Sequence, residues 1–193
     1  MKTIRLLPGY TLVDVDPATF GALFRERRAE MFPHSLEFDA EAALSAQERQ
    51  RKRELAQDMP AMYSIRWAIR HGRRFIGWTY GFQENAERFY MCNTAIEREH
   101  RGKGLYSALL PHVLRNLGEH GFQVAYSRHA ATNNAVIVPK LKAGFHITGM
   151  ELSDRHGTMV VLSYFFNDLR RQALHFRSGE VRPGPILAAL LQS

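Results

Sequence analysis

The stretch AIEREHRGKGLYSALL, residues 95–110, decides how the rest of the chain is read. An alternating apolar run ends at Ile96. A polar loop then carries Arg101-Gly102-Lys103-Gly104, and an apolar stripe with helical spacing begins at Leu105. The first turn of a helix exposes backbone N–H groups without partners and carries partial positive charge. Glycine lets a backbone approach a bulky anion closely, and Arg101 and Lys103 add full positive charge. The segment therefore reads either as a phosphate or pyrophosphate cradle or as a tight strand-to-helix turn. It is not a P-loop, because Leu105 follows Gly104 where that motif needs lysine. Nor is it the dinucleotide fingerprint, because Ser107 holds the third glycine position.

Upstream of the loop the hydrophobic period is two. Residues 63–70 place Tyr63, Ile65, Trp67 and Ile69 on one face, and residues 75–82 place Ile76, Trp78, Tyr80 and Phe82 together. Residues 89–96 complete three strands joined by short polar turns, the signature of an antiparallel meander. Before them, residues 10–15 read as a strand, and residues 17–31 and 40–59 as helices. Downstream, a helix is expected over 105–119, a strand over 123–130 and a helix over 134–143. A final hairpin spans 145–152 and 158–166. Pro111 and Pro139 fall inside the two expected helices, where proline removes a hydrogen bond and favours a kink. The tail, residues 167–193, is partly helical, with Ile186, Leu187, Leu190 and Leu191 as one apolar stripe. The order predicts an α/β fold with a mixed, mostly antiparallel central sheet flanked by helices. One domain over residues 1–166 and an extension over 167–193 are expected.

The chain has 193 residues, 45% hydrophobic and 23% charged, the composition of a globular domain with a sizeable core. A formal charge of +7 favours polyanionic partners without choosing among phosphate ligands, nucleic acid and membrane headgroups. With one cysteine, Cys92, neither an internal disulfide nor a cysteine zinc cluster can form, which suits a reducing compartment. No apolar run approaches a signal peptide or a membrane span. The expectation is a cytoplasmic protein with no metal.

Two segments together resemble a known family. The first, EREHRGKGLYSALL, is similar to the acyl-CoA-binding motif of the GCN5-related N-acetyltransferases, Gln/Arg-x-x-Gly-x-Gly/Ala between a strand and a helix. Gly102 and Gly104 match its glycines, Glu99 replaces its first residue, and Ile96 matches the hydrophobic residue that ends its strand. The second, NNAVIVPKLKAGFHITG, resembles the pattern of asparagine, helix, Gly-Phe, strand and glycine, with Asn133, Gly144-Phe145 and Gly149 in place. The resemblance covers residues 67–166. It implies an enzyme of that fold which moves an acetyl group from acetyl-CoA, as cosubstrate, to an amine of a small molecule or a protein. It also implies that Ile96, Arg101, Gly102, Lys103, Gly104, Leu105, Tyr106 and Asn133 contact the cofactor, with Asn133 on its pantetheine side. As plain sequence features, Asn133 is equally a helix cap and Gly144 a helix stop. Dimers are frequent in the family, so a homodimer is expected.

The chemistry implied needs a neutral amine, an oxyanion donor and a proton for the leaving thiolate. By resemblance the oxyanion donor lies on the strand around Ile96. Many family members serve the thiolate with a tyrosine seven residues after the motif asparagine. That position here is Lys140, which by residue type reads as a surface lysine. Tyr106 and Tyr164 are alternative donors. For the base, His129 has a suitable ordinary pKa and shares a strand face with Ser127. Glu97 reads as solvent-facing, and a water chain is the alternative to a single base. A non-catalytic acyl-CoA-binding module is the second reading of the chain. Nucleic-acid binding through Arg49, Arg51, Lys52 and Arg53, joined by Arg25, Arg27 and Arg28, is the third and is disfavoured, since no aromatic residues interleave.

Overall fold

The structure, a computed structural model, describes residues 3–33 and 39–191; residues 1–2, 34–38 and 192–193 lie outside it, including both ends of the expected domain organisation. Strands β1 (Thr3–Leu7) and β2 (Tyr10–Asp14) precede helix α1 (Pro17–Met31). Helices α2 (Ala40–Ala43) and α3 (Ala46–Gln57) follow, then β3 (Ser64–His71), β4 (Arg74–Gln83) and β5 (Arg88–Ile96). After a single 3₁₀ turn come α4 (Leu105–Glu119), β6 (Val124–Ala130), α5 (Asn134–Lys142), β7 (His146–Ser153) and β8 (Gly157–Phe165). Helices α6 (Asp168–Arg177) and α7 (Pro185–Leu191) end the described chain.

The eight strands form one sheet in the order β1-β2-β3-β4-β5-β6-β8-β7. Every pairing is antiparallel except β5 with β6. That parallel pair is joined through α4, as a parallel connection requires a crossover. The expected mixed, mostly antiparallel α/β fold is therefore the observed one.

Apolar residues cover both faces of the sheet. On one face, Leu105, Leu109, Leu110, Val113 and Leu117 of α4 lie at helical spacing against Leu12, Ile65, Ile69, Ile76 and Phe89. Each such fully buried side chain contributes about 1.5–3 kcal/mol of burial free energy. On the other face, Phe20 and Met31 of α1 pack on Ala68, Trp78 and Ala95. Helix α1 starts where the sequence sets it: Pro17 takes the first turn, and Asp16 accepts from the Thr19 N–H at 2.9 Å.

Four features differ from the sequence reading. Strand β1 was not anticipated; its short run TIRLL carries an arginine and is half-buried at the sheet edge. The single helix expected over 40–59 is two, because Ser45 and Glu48 form a reciprocal capping box that starts α3 afresh. Ile76 and Trp78 lie on opposite sides of the sheet, in different clusters, because a register shift interrupts the alternation between Gly77 and Phe75. In the tail, α7 buries Leu187, while Ile186 and Leu190 are exposed.

Candidate functional site

Strands β5 and β6 pair only where Arg88, Phe89 and Tyr90 oppose Val124, Ala125 and Tyr126. Beyond Tyr90 they part. Strand β5 follows β4 as far as Ile96 opposite Gly77, and β6 follows β8 as far as Ala130 opposite Met159. A V-shaped opening results at the C-terminal ends of the two parallel strands, the general position for ligands in such sheets. A bulge lies at its root: Tyr80 opposes Asn93 and Phe82 opposes Tyr90, so Met91 and Cys92 together face Gly81 alone. A bulge leaves one residue outside the ladder and turns the strand. Gly81 is required there, since a Cβ would lie 2.6 Å from the Tyr90 carbonyl oxygen and 2.5 Å from Phe89 Cε1.

The cradle stands above the end of β5. Gly102 and Gly104 have φ of +72° and +78°, left-handed values that favour glycine, and a Cβ on either would meet open space. Gly104 caps α4 without a side-chain hydrogen bond. Among the described residues, no acceptor outside the helix meets the backbone N–H groups from Gly102 to Ser107. Lys103, between the two glycines, is exposed. Leu105, 2% exposed, anchors the helix start in the core, and Tyr106 packs beside it. Burial holds the Tyr106 phenol well above its ordinary pKa, so it stays protonated.

Arg101 does something different from Lys103. Its Nε donates to the Ile96 carbonyl at 2.7 Å and its Nη2 to the Met31 carbonyl at 3.2 Å. It ties the end of β5 to the end of α1 and so fixes the loop. Glu97, expected to face solvent, is buried at 5% exposure. It accepts from Arg27 of α1 at 2.5 Å and from Arg74 of β4 at 2.7 Å. With both oxygens engaged by cations, Glu97 is a strut between α1 and the cradle.

Asn133 precedes α5, but its side chain makes no capping hydrogen bond, and the residue is exposed. The expected cap is absent, and the carboxamide is left for another partner. His129 lies on the β6 wall of the opening, its Nε2 2.9 Å from Ser127 Oγ. Ser127 is fully buried. Burial first, and then the positive charge of Lys140, push the His129 pKa down to about 3. A base whose conjugate acid forms only at such low pH draws protons weakly at neutral pH.

Lys140 corrects the surface reading: it is 1% exposed. It lies three residues after Ile137, on the buried stripe of α5. Its Nζ is 3.4 Å from Met91 Sδ at the bulge and 4.2 Å from the centre of the Phe145 ring. Burial lowers its pKa to about 7. Tyr164, the other expected donor, packs among Phe145, Phe166 and Arg171.

On the opposite, α1-side face of the sheet, Tyr80, Phe82, Tyr90 and Tyr126 form a continuous row of rings with neighbouring centres 5.1–6.0 Å apart. The guanidinium of Arg128 lies over Tyr90, and that of Arg88 over Tyr126. Sequence reading missed this row because the four rings come from three separate strands.

The Acetyltransferase (GNAT) family profile matches residues 24–145. The chain belongs to this acetyltransferase family. Solved structures of the same fold include a ribosomal L7/L12 alpha-N-protein acetyltransferase in complex with coenzyme A. It shares 15% identity over 85% of this chain and 98% of that one, with a TM-score of 0.60. The ribosomal-protein-S5-alanine acetyltransferase from Vibrio fischeri shares 11% identity over 87% of this chain and 98% of its own, with a TM-score of 0.61. The ribosomal-protein-S18-alanine N-acetyltransferase from Escherichia coli shares 14% identity over 82% and 94%, with a TM-score of 0.57. No curated protein sequence matches the chain. Among the described residues, no helix is long and apolar enough to cross a membrane.

Proposed function

We propose that this GNAT protein transfers the acetyl group of acetyl-CoA to an amine of a small molecule or a protein. The observation that carries the reading is the cradle. Unpartnered N–H groups, two left-handed glycines with open space above them, and Lys103 stand at the mouth of the opened β5–β6 pair. In this reading Gly102, Lys103, Gly104, Leu105 and Tyr106 hold the pyrophosphate through backbone donors and the lysine charge. Asn133 hydrogen-bonds the pantetheine arm as it runs into the opening. Arg101 keeps Ile96 and the loop in place and does not itself bind phosphate.

The arm leads the thioester to the bulge at Met91 and Cys92. A bulge frees backbone polar groups from the ladder, and an amide there is the donor for the oxyanion of the tetrahedral intermediate. That moves the oxyanion site from Ile96, which remains paired with Gly77, to the root of the opening. His129 stays neutral and orients Ser127. The amine's first proton leaves through water. The acceptor approaches from the α1 side, where the row of rings offers a surface for the apolar part of an amine and for its cationic form before deprotonation. The neighbouring ribosomal-protein acetyltransferases act on protein amines, which supports including peptide N-termini among acceptors.

Release of CoA thiol from acetyl-CoA, measured against a panel of small amines and peptides with free N-termini, tests this reading. At least one acceptor should give turnover that Gly104→Glu abolishes. Acetyl-CoA binding without turnover on any acceptor would favour an acyl-CoA-binding module.

A further inference from the structure

Arginines flank the row of rings on the α1-side face, and they are not equivalent. At one end, Arg88 lies 3.7 Å from Glu84 and Arg128 lies 3.3 Å from Glu151. At the other end stands Arg66 of β3. Alternation along β3 puts it on the same face as Ala68, which packs under α1. Among the described residues its guanidinium has no carboxylate and makes no hydrogen bond. Asp14 and Asp16 flank Val15, whose N–H donates to the Arg66 carbonyl, but neither serves it. Asp14 opposes Trp67, on the other face of the sheet. Asp16 accepts from the backbone N–H and the hydroxyl of Thr19, at 2.9 and 2.6 Å.

The position of this cation points to the acceptor. Arg66 is half-buried and opposes Tyr80 of β4, which in turn opposes Asn93 of β5, one residue past the bulge. One line across the sheet thus joins Arg66, the Tyr80 ring and the root of the opening. Two strand spacings make that line about 10 Å long. Burial first, and then Cys92, raise the Tyr80 phenol, while the Arg66 charge opposes them, so the guanidinium acts on the hydroxyl end of the ring. In the row, the Tyr126 hydroxyl is taken by Glu84, whereas those of Tyr80 and Tyr90 have no hydrogen-bond partner among the described residues.

Resting on the acetyl-CoA reading above, we propose that Arg66 is a specificity-determining residue: it receives a carboxylate that the acceptor carries across an apolar spacer from its amine. A guanidinium presents a planar fork that fits a carboxylate, and the attraction is stronger at a half-buried site than in water. The spacer lies on the Tyr80 ring, and the nitrogen reaches the bulge. The span of about 10 Å suits a spacer the width of one ring, or an acidic side chain next to a peptide N-terminus.

The test uses matched acceptors and the full chain. One pair is para-(aminomethyl)benzoate and its benzamide. The other is a tripeptide with glutamate in second place and its glutamine counterpart. CoA release gives kcat/KM for each with the wild type, Arg66→Gln and Arg66→Lys, all shown to be folded by circular dichroism. In at least one pair the wild type should prefer the carboxylate by about tenfold or more, through KM rather than kcat. Arg66→Gln should bring the ratio to within about twofold of unity, and Arg66→Lys should keep part of it, a rescue that a purely structural arginine would not show. The pair that carries the preference separates a free amino acid from a peptide. Equal turnover of both members by the wild type, or a preference that survives Arg66→Gln, would overturn the role of Arg66 and leave acetyl transfer standing. So would a wild type that binds acetyl-CoA and turns over neither pair. A folded wild type that binds no acetyl-CoA would overturn the cofactor reading as well.

Discussion

In the proposed acetyl-CoA reading, the cradle and the root of the opening receive different ends of one ligand by opposite means. At the cradle the donors are backbone N–H groups, exposed, on glycines whose φ values favour glycine over other residues. At the root the charged group is a side chain, 1% exposed, held among apolar atoms. An anion at the cradle meets dipoles and one solvated charge, and costs little desolvation. An anion at the root meets a full charge in a medium where electrostatics is strong and an unpaired ion is costly. The difference teaches that the cradle can be assembled without loss of stability, whereas the root keeps its charge ready against the fold's own preference.

Four substitutions sharpen or break that contrast. The largest effect is expected at the root. Lys140 has its pKa lowered from 10.5 to about 7 by burial, so the folded state disfavours its proton. The unfolded chain binds more protons between these two values, and wild-type stability therefore rises with pH across that window. Lys140→Met should stabilise the protein by about 3 kcal/mol below pH 7, and the gain should fade as pH rises from about 7 to 10.5. Denaturant melts at several pH values measure this; a destabilised variant with no pH trend would mean the lysine is not strained.

Next comes the bulge that opens the site. Gly81→Val should cost about 2 kcal/mol, because the added carbons collide with the Tyr90 carbonyl, read as a lower urea midpoint. A neutral result would show that β4 and β5 are not held this closely. Glu97→Gln weakens the strut between α1 and the cradle. The Arg74 side chain is 61% exposed and shares the charge with water, so a loss of about 1 kcal/mol is expected, with a shallower dependence of stability on salt. The smallest stability effect is expected at Asn133. Its side chain caps nothing, so Asn133→Ala should change stability by less than about 0.5 kcal/mol. It should weaken acetyl-CoA binding roughly threefold to tenfold, for the loss of one hydrogen bond. A stability loss of about 1 kcal/mol would instead restore Asn133 as a cap.

The same contrast explains what could be read in the sequence. The cradle was legible because its chemistry lies in consecutive residues: Gly102 and Gly104 punctuate a switch from period two to helical spacing. The meander β3–β5 and the strand–helix–strand order after it were legible from periodicity for the same reason. The root was not. Met91, His129, Lys140 and Phe145 are brought together by two strands, a helix and the segment before β7. A register shift at the bulge, which no residue type announces, sets where they meet. One local signal did exist: Lys140 lies three residues after Ile137, on the face that α5 buries. Residue type outweighed position in the reading, as it did for Glu97, whose partners Arg27 and Arg74 lie 70 and 23 residues away. The capping box at Ser45 and Glu48 was visible as Ser-x-x-Glu and was overrun by the helical pattern around it.

The most direct measurement is a calorimetric titration of the protein with acetyl-CoA, beside the Gly104→Glu variant shown to be folded by circular dichroism. The account predicts saturable binding by the wild type, with a Kd of about 1–100 µM, and a loss of at least tenfold in the variant, whose carboxylate enters the anion site from a strained φ. A folded wild type that binds no acetyl-CoA, or a variant that binds it equally well, would contradict the assignment of the cradle.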